Sequence, residues 1–236
     1  MAGYGYPTKK VGLIHSMFRP SDDATIYPFL IPSNLLAAES LFQLLEMGKN
    51  GLPQETATEA VKLLRAVLNA IKEYGIIDHS TFGKIYAYEV NGLGSYNLMD
   101  DANVPSLLSL PYLINKAVGS NLENGIYHNT RAFVLSAENP FFFKGTAGEG
   151  IGGPHVGMDY IWPMSIIMRG LTSLDDKEIK GCLDTLQKSH AGTGFMHESF
   201  FKDDASKFTR KWFAWANTLF GEFILKTYNE RRSLLQ

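Results

Sequence analysis

Apolar residues recur at helical spacing along most of this 236-residue chain. Leu35, Leu41, Phe42 and Leu45 share one face of a helix predicted over Ser33–Met47, with Ser33 or Asn34 as N-cap and Gly48 as stop. A second helix is predicted from Pro53 to Gly75, with Leu64, Val67, Leu68 and Ile71 as its stripe. The same reading predicts helices over Pro105–Ala117, Gly125–Ser136, Trp162–Leu171, Leu174–Lys188 and Arg210–Tyr228. Ser173-x-x-Asp176 reads as a capping box for the sixth of them. Strand signal is confined to Lys84–Val90, which alternates and then meets Asn91-Gly92, a two-residue turn into Leu93–Leu98. The expected class is therefore all-α with one small β-hairpin, in a single domain over residues 1–236. Paired helices joined by alternating short and long loops fit a toroid of α-hairpins, and an irregular bundle fits equally well.

Five segments break the helical pattern with polar and aromatic residues. They are Phe18–Ala24, Met99–Pro105, Ser136–Phe142, Gly152–Pro163 and Gly192–Phe200. Several lead into a predicted helix, and loops carried on rigid elements are where binding and catalytic residues concentrate. Two contain adjacent carboxylates, Asp22-Asp23 and Asp100-Asp101. A lone Asp-Asp pair reads first as helix capping. Here both pairs sit beside Pro, Asn and aromatic residues rather than Lys and Glu. Short acceptors, amides and flat apolar faces are what a sugar needs.

Composition narrows the classes further. Lys and Arg total 22 against 24 Asp and Glu, a formal charge of −2, and the basic residues are scattered. No field exists to hold nucleic acid or an anionic membrane. With 11 Tyr, 15 Phe and 3 Trp, the chain has more rings than a helical core requires. Cys182 is the single cysteine, so no disulfide forms within the chain, which tilts the expectation toward a reducing, cytoplasmic compartment. No apolar run is long enough to span a membrane, and the first residues lack the signature of a signal peptide.

Other chemistries fit poorly. His15, His79, His128, His155, His190 and His197 show no zinc-binding spacing, so no metal and no cofactor are expected. Gly145–Gly153 lacks the Gly-Lys-Ser/Thr ending of a phosphate loop, and no Gly-x-Ser-x-Gly elbow is present.

Taken together, several motifs resemble the signature of glycoside hydrolase family 125. They are Arg19-Pro-Ser-Asp-Asp-Ala24 with Pro28–Asn34, Met99-Asp-Asp-Ala-Asn-Val-Pro-Ser-Leu-Leu108, Ser136-Ala-Glu-Asn-Pro140, Tyr160-Ile-Trp-Pro163, Gly194-Phe-Met-His-Glu-Ser199 and Trp212-Phe-Ala-Trp-Ala-Asn217. They run in the family's order over nearly the whole chain. The resemblance implies an (α/α)6 toroid and a metal-independent, inverting exo-α-mannosidase that removes terminal α-1,6-linked mannose from glycans. It implies a general acid within Asp22-Asp23 and a general base at Glu198, with His197 and Ser199 as neighbours to hold that base. In such enzymes the two carboxyl groups stand roughly 6.5–9.5 Å apart, with room for the attacking water. Arg19, Asp100, Asn103, Glu138, Asn139, His155 and His197 would bind sugar hydroxyls, and Tyr160, Trp162 or Trp215 would form an apolar wall.

The resemblance also sets an expectation about length. A complete toroid needs twelve helices, and this chain shows about seven, so the family domain is expected to be N-terminally truncated here. Open ring edges then leave apolar helix faces exposed and prone to self-association. A mannose-containing oligosaccharide is the expected partner. The alternative is a carbohydrate-binding or interaction fragment that keeps the fold without turnover.

Overall fold

The computed structural model describes residues 5–48, 51–114 and 125–236. It divides into two compact units, one of Met1–Met99 with Pro105–Phe133, the other of Asp100–Val104 with Val134–Gln236. Each is rich in helix and carries small antiparallel sheets.

In the first unit, strand β1 (Phe29–Leu30) runs straight into helix α1 (Ile31–Met47). The helix begins two residues before the expected cap. The Ile31 N–H donates to the Tyr88 carbonyl at 2.9 Å, and Pro32 in the first turn has no N–H to satisfy. Asn34 is thereby released from capping. Its amide donates to the Ile14 carbonyl at 3.0 Å and the Leu30 carbonyl at 2.9 Å, and accepts from the Ile14 N–H at 2.8 Å. Helix α2 (Gln54–Tyr74) packs beside α1 and buries Ala60, Val67, Ala70 and Ile71. Beyond it, β2 (Ile76–His79) and β3 (Gly83–Tyr86) form a hairpin. β4 (Glu89–Val90) pairs with both β1 and β5 (Tyr96–Asn97).

The predicted alternating strand is thus two strands in different sheets. The turn after β4 spans Asn91–Ser95 rather than two residues, because Asn91 Oδ1 accepts from the N–H groups of Leu93 and Ser95. The helix expected over Pro105–Ala117 shrinks to α3 (Leu110–Leu113). Ser106 and Ser109 side chains take the backbone hydrogen bonds that a longer helix would use. Residues 115–117 of that expected helix lie outside the described residues. α4 (Ile126–Val134) completes the unit.

In the second unit, helix α5 (Pro163–Leu171) is central, with Met164, Ile166, Ile167 and Met168 all buried. It packs against α6 (Asp176–Ser189) and α7 (Ala214–Glu230), and a 3-10 turn, Arg232–Leu235, follows. The cap of α6 is Asp175, which accepts from the Lys177 N–H, and not Ser173. The Ser173 hydroxyl is engaged with Glu178 at 2.5 Å. α7 starts four residues later than its pattern predicts, because Arg210–Phe213 is drawn into a neighbouring loop. β6 (Phe142–Lys144) pairs with β7 (Glu149–Ile151). β9 (Ser199–Phe201) lies between β8 (Tyr160–Ile161) and β10 (Asp204–Thr209). Strand structure is therefore distributed through both units, which corrects the all-α expectation. Short strands of two to six residues give too little alternation to register against helical periodicity.

Apolar side chains also face outward. Leu36, Leu41, Leu44 and Leu63 line a groove of about 510 Å³ in the first unit, and Leu225 on α7 is 65% exposed. Among the described residues no helix is long and apolar enough to cross a membrane.

Two features are open to direct measurement. Gly170 on α5 lies so close to the Phe223 ring that an added Cβ would collide with it, and Phe223 is buried. Gly170→Ala should therefore destabilise the protein by about 1–3 kcal/mol despite alanine's better helix propensity, read as a lower urea midpoint. The second feature is an ion network. Glu149 accepts from Lys144 at 2.8 Å and Arg169 at 2.8 Å, and Arg169 also binds Glu178 at 2.7 Å. The Lys144 and Arg169 contacts hold the Glu149 carboxyl below its ordinary value of 4.5. Its stabilisation is then complete above pH 4.5 and is lost as pH falls through the lower folded value. Solvent screening at this part-exposed site limits it to about 1 kcal/mol. Glu149→Gln should cost that much at neutral pH and nothing in strong acid, measured by denaturation at both.

Candidate active site

The segment carrying Asp22 and Asp23 is a tight bend in the first unit. Phe18 bridges to Ala24, the Arg19 N–H donates to the Asp23 carbonyl at 2.8 Å, and the Asp22 N–H donates to the Arg19 carbonyl at 3.0 Å. Asp22 closes the bend in the left-handed region, φ 66°, which aspartate tolerates better than most residues. Its side chain is exposed, whereas Asp23 is half-buried and accepts from the Ser21 hydroxyl at 2.8 Å.

Arg19 fixes this bend from beneath. It is buried, with Nε 2.7 Å and Nη2 3.1 Å from the two oxygens of Glu89. Glu89 is fully buried and also accepts from the N–H groups of Ile26 and Tyr27 and the side-chain amide of Asn97. The guanidinium of Arg19 lies 5.5 Å from the Tyr88 ring centre. The Arg19–Glu89 pair thus ties the bend to β4. Glu89 escaped the sequence reading because it sits within an alternating strand pattern, where a charged residue reads as solvent-facing.

The second unit gathers most of the other motif residues. Asp100, Asp101, Asn103 and Asn139 are all buried. Asn139 Oδ1 accepts from the N–H groups of Asp100 and Phe141, and its Nδ2 donates to the Val134 carbonyl. Asp101 Oδ1 accepts from the Asn103 N–H and side-chain amide at 2.9 and 2.8 Å. The Ala102 N–H donates to the Gly152 carbonyl at 2.9 Å, and a Cβ at Gly153 would lie 2.9 Å from Asp101 Oδ2, so the carboxylate would have to shift to admit a side chain. Glu138 stays exposed on the turn Ser136–Asn139.

An aromatic chain continues from this cluster. His155 meets Trp162 edge-on at 6.2 Å, Trp162 meets Phe213 at 6.0 Å, and Phe213 meets Trp215 at 6.5 Å. Trp162 is almost fully buried, and among the described residues its indole N–H has no hydrogen-bond partner. A buried donor left without an acceptor is costly. Tyr160 lies to one side, edge-on to Phe201 at 5.7 Å.

Glu198 is 5% exposed, immediately before β9, and its Oε1 lies 3.2 Å from Arg210 Nε. Arg210 was missed because the helix expected over Arg210–Tyr228 hid it. The residues expected to hold Glu198 are engaged elsewhere. His197 stacks flat on Phe208 at 3.8 Å, with Nδ1 2.8 Å from the Lys211 carbonyl. The Ser199 hydroxyl bonds that of Thr209. Among the described residues no group of three His, Cys, Asp or Glu side chains is placed to hold a metal ion.

The family model described as metal-independent alpha-mannosidase (GH125) matches residues 1–225. The meiotically up-regulated gene 157 protein of Schizosaccharomyces pombe is 45% identical over 240 residues, spanning 100% of this chain and 46% of that protein. A Streptococcus pneumoniae structure, from a family of metal-independent α-mannosidases and in non-productive complex with α-1,6-mannobiose, aligns with a TM-score of 0.90. It is 41% identical, and the alignment covers 97% of this chain and 54% of that one. This chain spans about half the length of both.

The Arg19–Glu89 pair makes the bend testable. Glu89→Gln removes the charge at a site where five hydrogen bonds converge. Breaking a buried ion pair from one side should cost about 3–5 kcal/mol. Denaturant unfolding should show it as a large loss of stability.

Proposed function

Because this chain belongs to glycoside hydrolase family 125, the metal-independent α-mannosidases, we propose that it carries the acid–base machinery that releases terminal α-1,6-linked mannose with inversion. The observation that supports this most directly is Glu198. It is a nearly buried carboxylate, ion-paired on one oxygen and linked through Arg210 and Phe213 to the aromatic chain that runs from His155 to Trp215. The α-1,6 linkage is that of the ligand bound by the Streptococcus pneumoniae relative.

In this reading Glu198 takes a proton from water, and the water oxygen attacks the anomeric carbon. A carboxylic acid, which this reading assigns to the Asp22-Asp23 pair, protonates the departing glycosidic oxygen. The transition state is oxocarbenium-like, and one displacement inverts the anomeric centre. Asp100, Asn103, Glu138, Asn139 and His155 supply or support contacts to hydroxyls, and Tyr160, Trp162 and Trp215 line the apolar side. The bend that Arg19 and Glu89 hold presents the acid.

A second reading, a carbohydrate-binding fragment without turnover, is favoured by one observation: the chain spans about half of its relatives. Kinetics on α-1,6-mannobiose separate the two. Glu198→Gln should lower kcat by about 10²–10⁴-fold with affinity for the disaccharide retained, because the amide keeps the shape but accepts no proton. Asp22→Asn and Asp23→Asn should differ, the larger loss marking the acid. Binding without turnover by the unaltered chain supports the second reading, and full activity in Glu198→Gln overturns the first.

A further inference from the structure

Strands β9 and β10 pair Ser199 with Thr209. The next cross-strand position places Glu198 opposite Arg210, where side chains of opposite charge meet. Regular pairing stops there. The Glu198 N–H lies 3.3 Å from the Thr209 carbonyl and 3.4 Å from that of Arg210, and Arg210 adopts a left-handed backbone, φ 39°. That conformation is unfavourable for a residue with a Cβ, and arginine gains nothing locally from it.

What the strained backbone achieves is the aim of the guanidinium. Its Nε lies 3.2 Å from Glu198 Oε1, and its Cζ lies 5.7 Å from the Phe213 ring centre. The Arg210 side chain is 61% exposed and that of Glu198 only 7%, so the arginine reaches in from solvent to a nearly buried carboxylate. An ion pair with one partner in solvent adds too little stability to justify a strained backbone. Strain of this kind collects where geometry serves function.

We propose that Arg210 is a positioning residue for the base. By holding Oε1 it fixes the plane of the Glu198 carboxylate and assigns Oε2 to the attacking water. In turnover Oε2 takes one proton from water, the water oxygen bonds the anomeric carbon, and the bond to the leaving group breaks with its electron pair. This role rests on Glu198 being the base. It applies to α-mannosides as a class, because it acts on the water and not on the aglycone.

α-Mannosyl fluoride tests it without the acid, since fluoride departs as an anion and needs no proton. Fluoride release is measured for the unaltered chain, Glu198→Gln, Arg210→Ala and Arg210→Lys, each with its melting curve. Arg210→Ala should lower kcat about tenfold or more, part of the roughly 10²–10⁴-fold that a general base supplies, and leave KM within about twofold. Low, non-denaturing guanidinium should restore part of that loss in Arg210→Ala alone. Arg210→Lys should recover less than the arginine gives, for lack of the planar fork. A merely structural arginine would show a lower melting temperature and no rescue by guanidinium. Unaltered kcat in Arg210→Ala beside an inactive Glu198→Gln overturns the positioning role and leaves the base in place. Full activity in Glu198→Gln, or no release by the unaltered chain, overturns both.

Discussion

A buried segment outside helix and strand still carries backbone N–H and C=O groups, and each must find a partner. The motif loops of this protein are irregular and bury many of their residues, so the constraint bears on them heavily. Side-chain amides meet it repeatedly. Asn34 pins Ile14 to the start of α1, and Asn91 closes the turn after β4. Asn139 ties Ser136–Phe142 to Asp100. Asn217 accepts from the Met196 N–H and donates to the carbonyls of Met196 and Phe213, which fixes the approach to Glu198. Glu89 does the same with a charge. Of the residues that read as sugar-binding in the sequence, Asn103 and Asn139 thus also help to build the loops.

That division of labour explains what was legible beforehand. Long helices were readable because their apolar faces repeat: α2 begins at Gln54 and ends at Tyr74, within a residue of the expected span at each end. The motif loops stood out because they interrupt that repeat with Asp, Asn, Gly and aromatic residues. Individual roles were harder. Nothing in Arg19-Pro-Ser-Asp-Asp reveals that the arginine turns inward to Glu89, seventy positions away. Arg210 was hidden because residues before α7 are compatible with helix in composition, and only the pull of Met196–Glu198 on Phe213 and Lys211 unwinds them. Strands of two or three residues exist only because a partner is present, and local pattern cannot register a partner.

Backbone strain follows the same map. Among the described residues the non-glycine positions in the left-handed region are Asp22, Asp159, Ala191 and Arg210. Asp22 lies in the bend that carries the acid candidates, and Asp159 sits in the loop leading to Tyr160 and Trp162. Ala191 opens the loop that delivers His197 and Glu198, and Arg210 faces Glu198 across the strand end. Each such residue costs on the order of 1–3 kcal/mol and persists only where its surroundings over-determine it. The helices contain none of them. The scaffold is built from relaxed elements, and the cost is concentrated in the loops that bear the motif. Folding stability alone would remove strain from those loops first, since glycine at any of these positions would relieve it. Its retention around both the acid and the base candidates is the pattern expected when side-chain direction, rather than stability, determines the backbone.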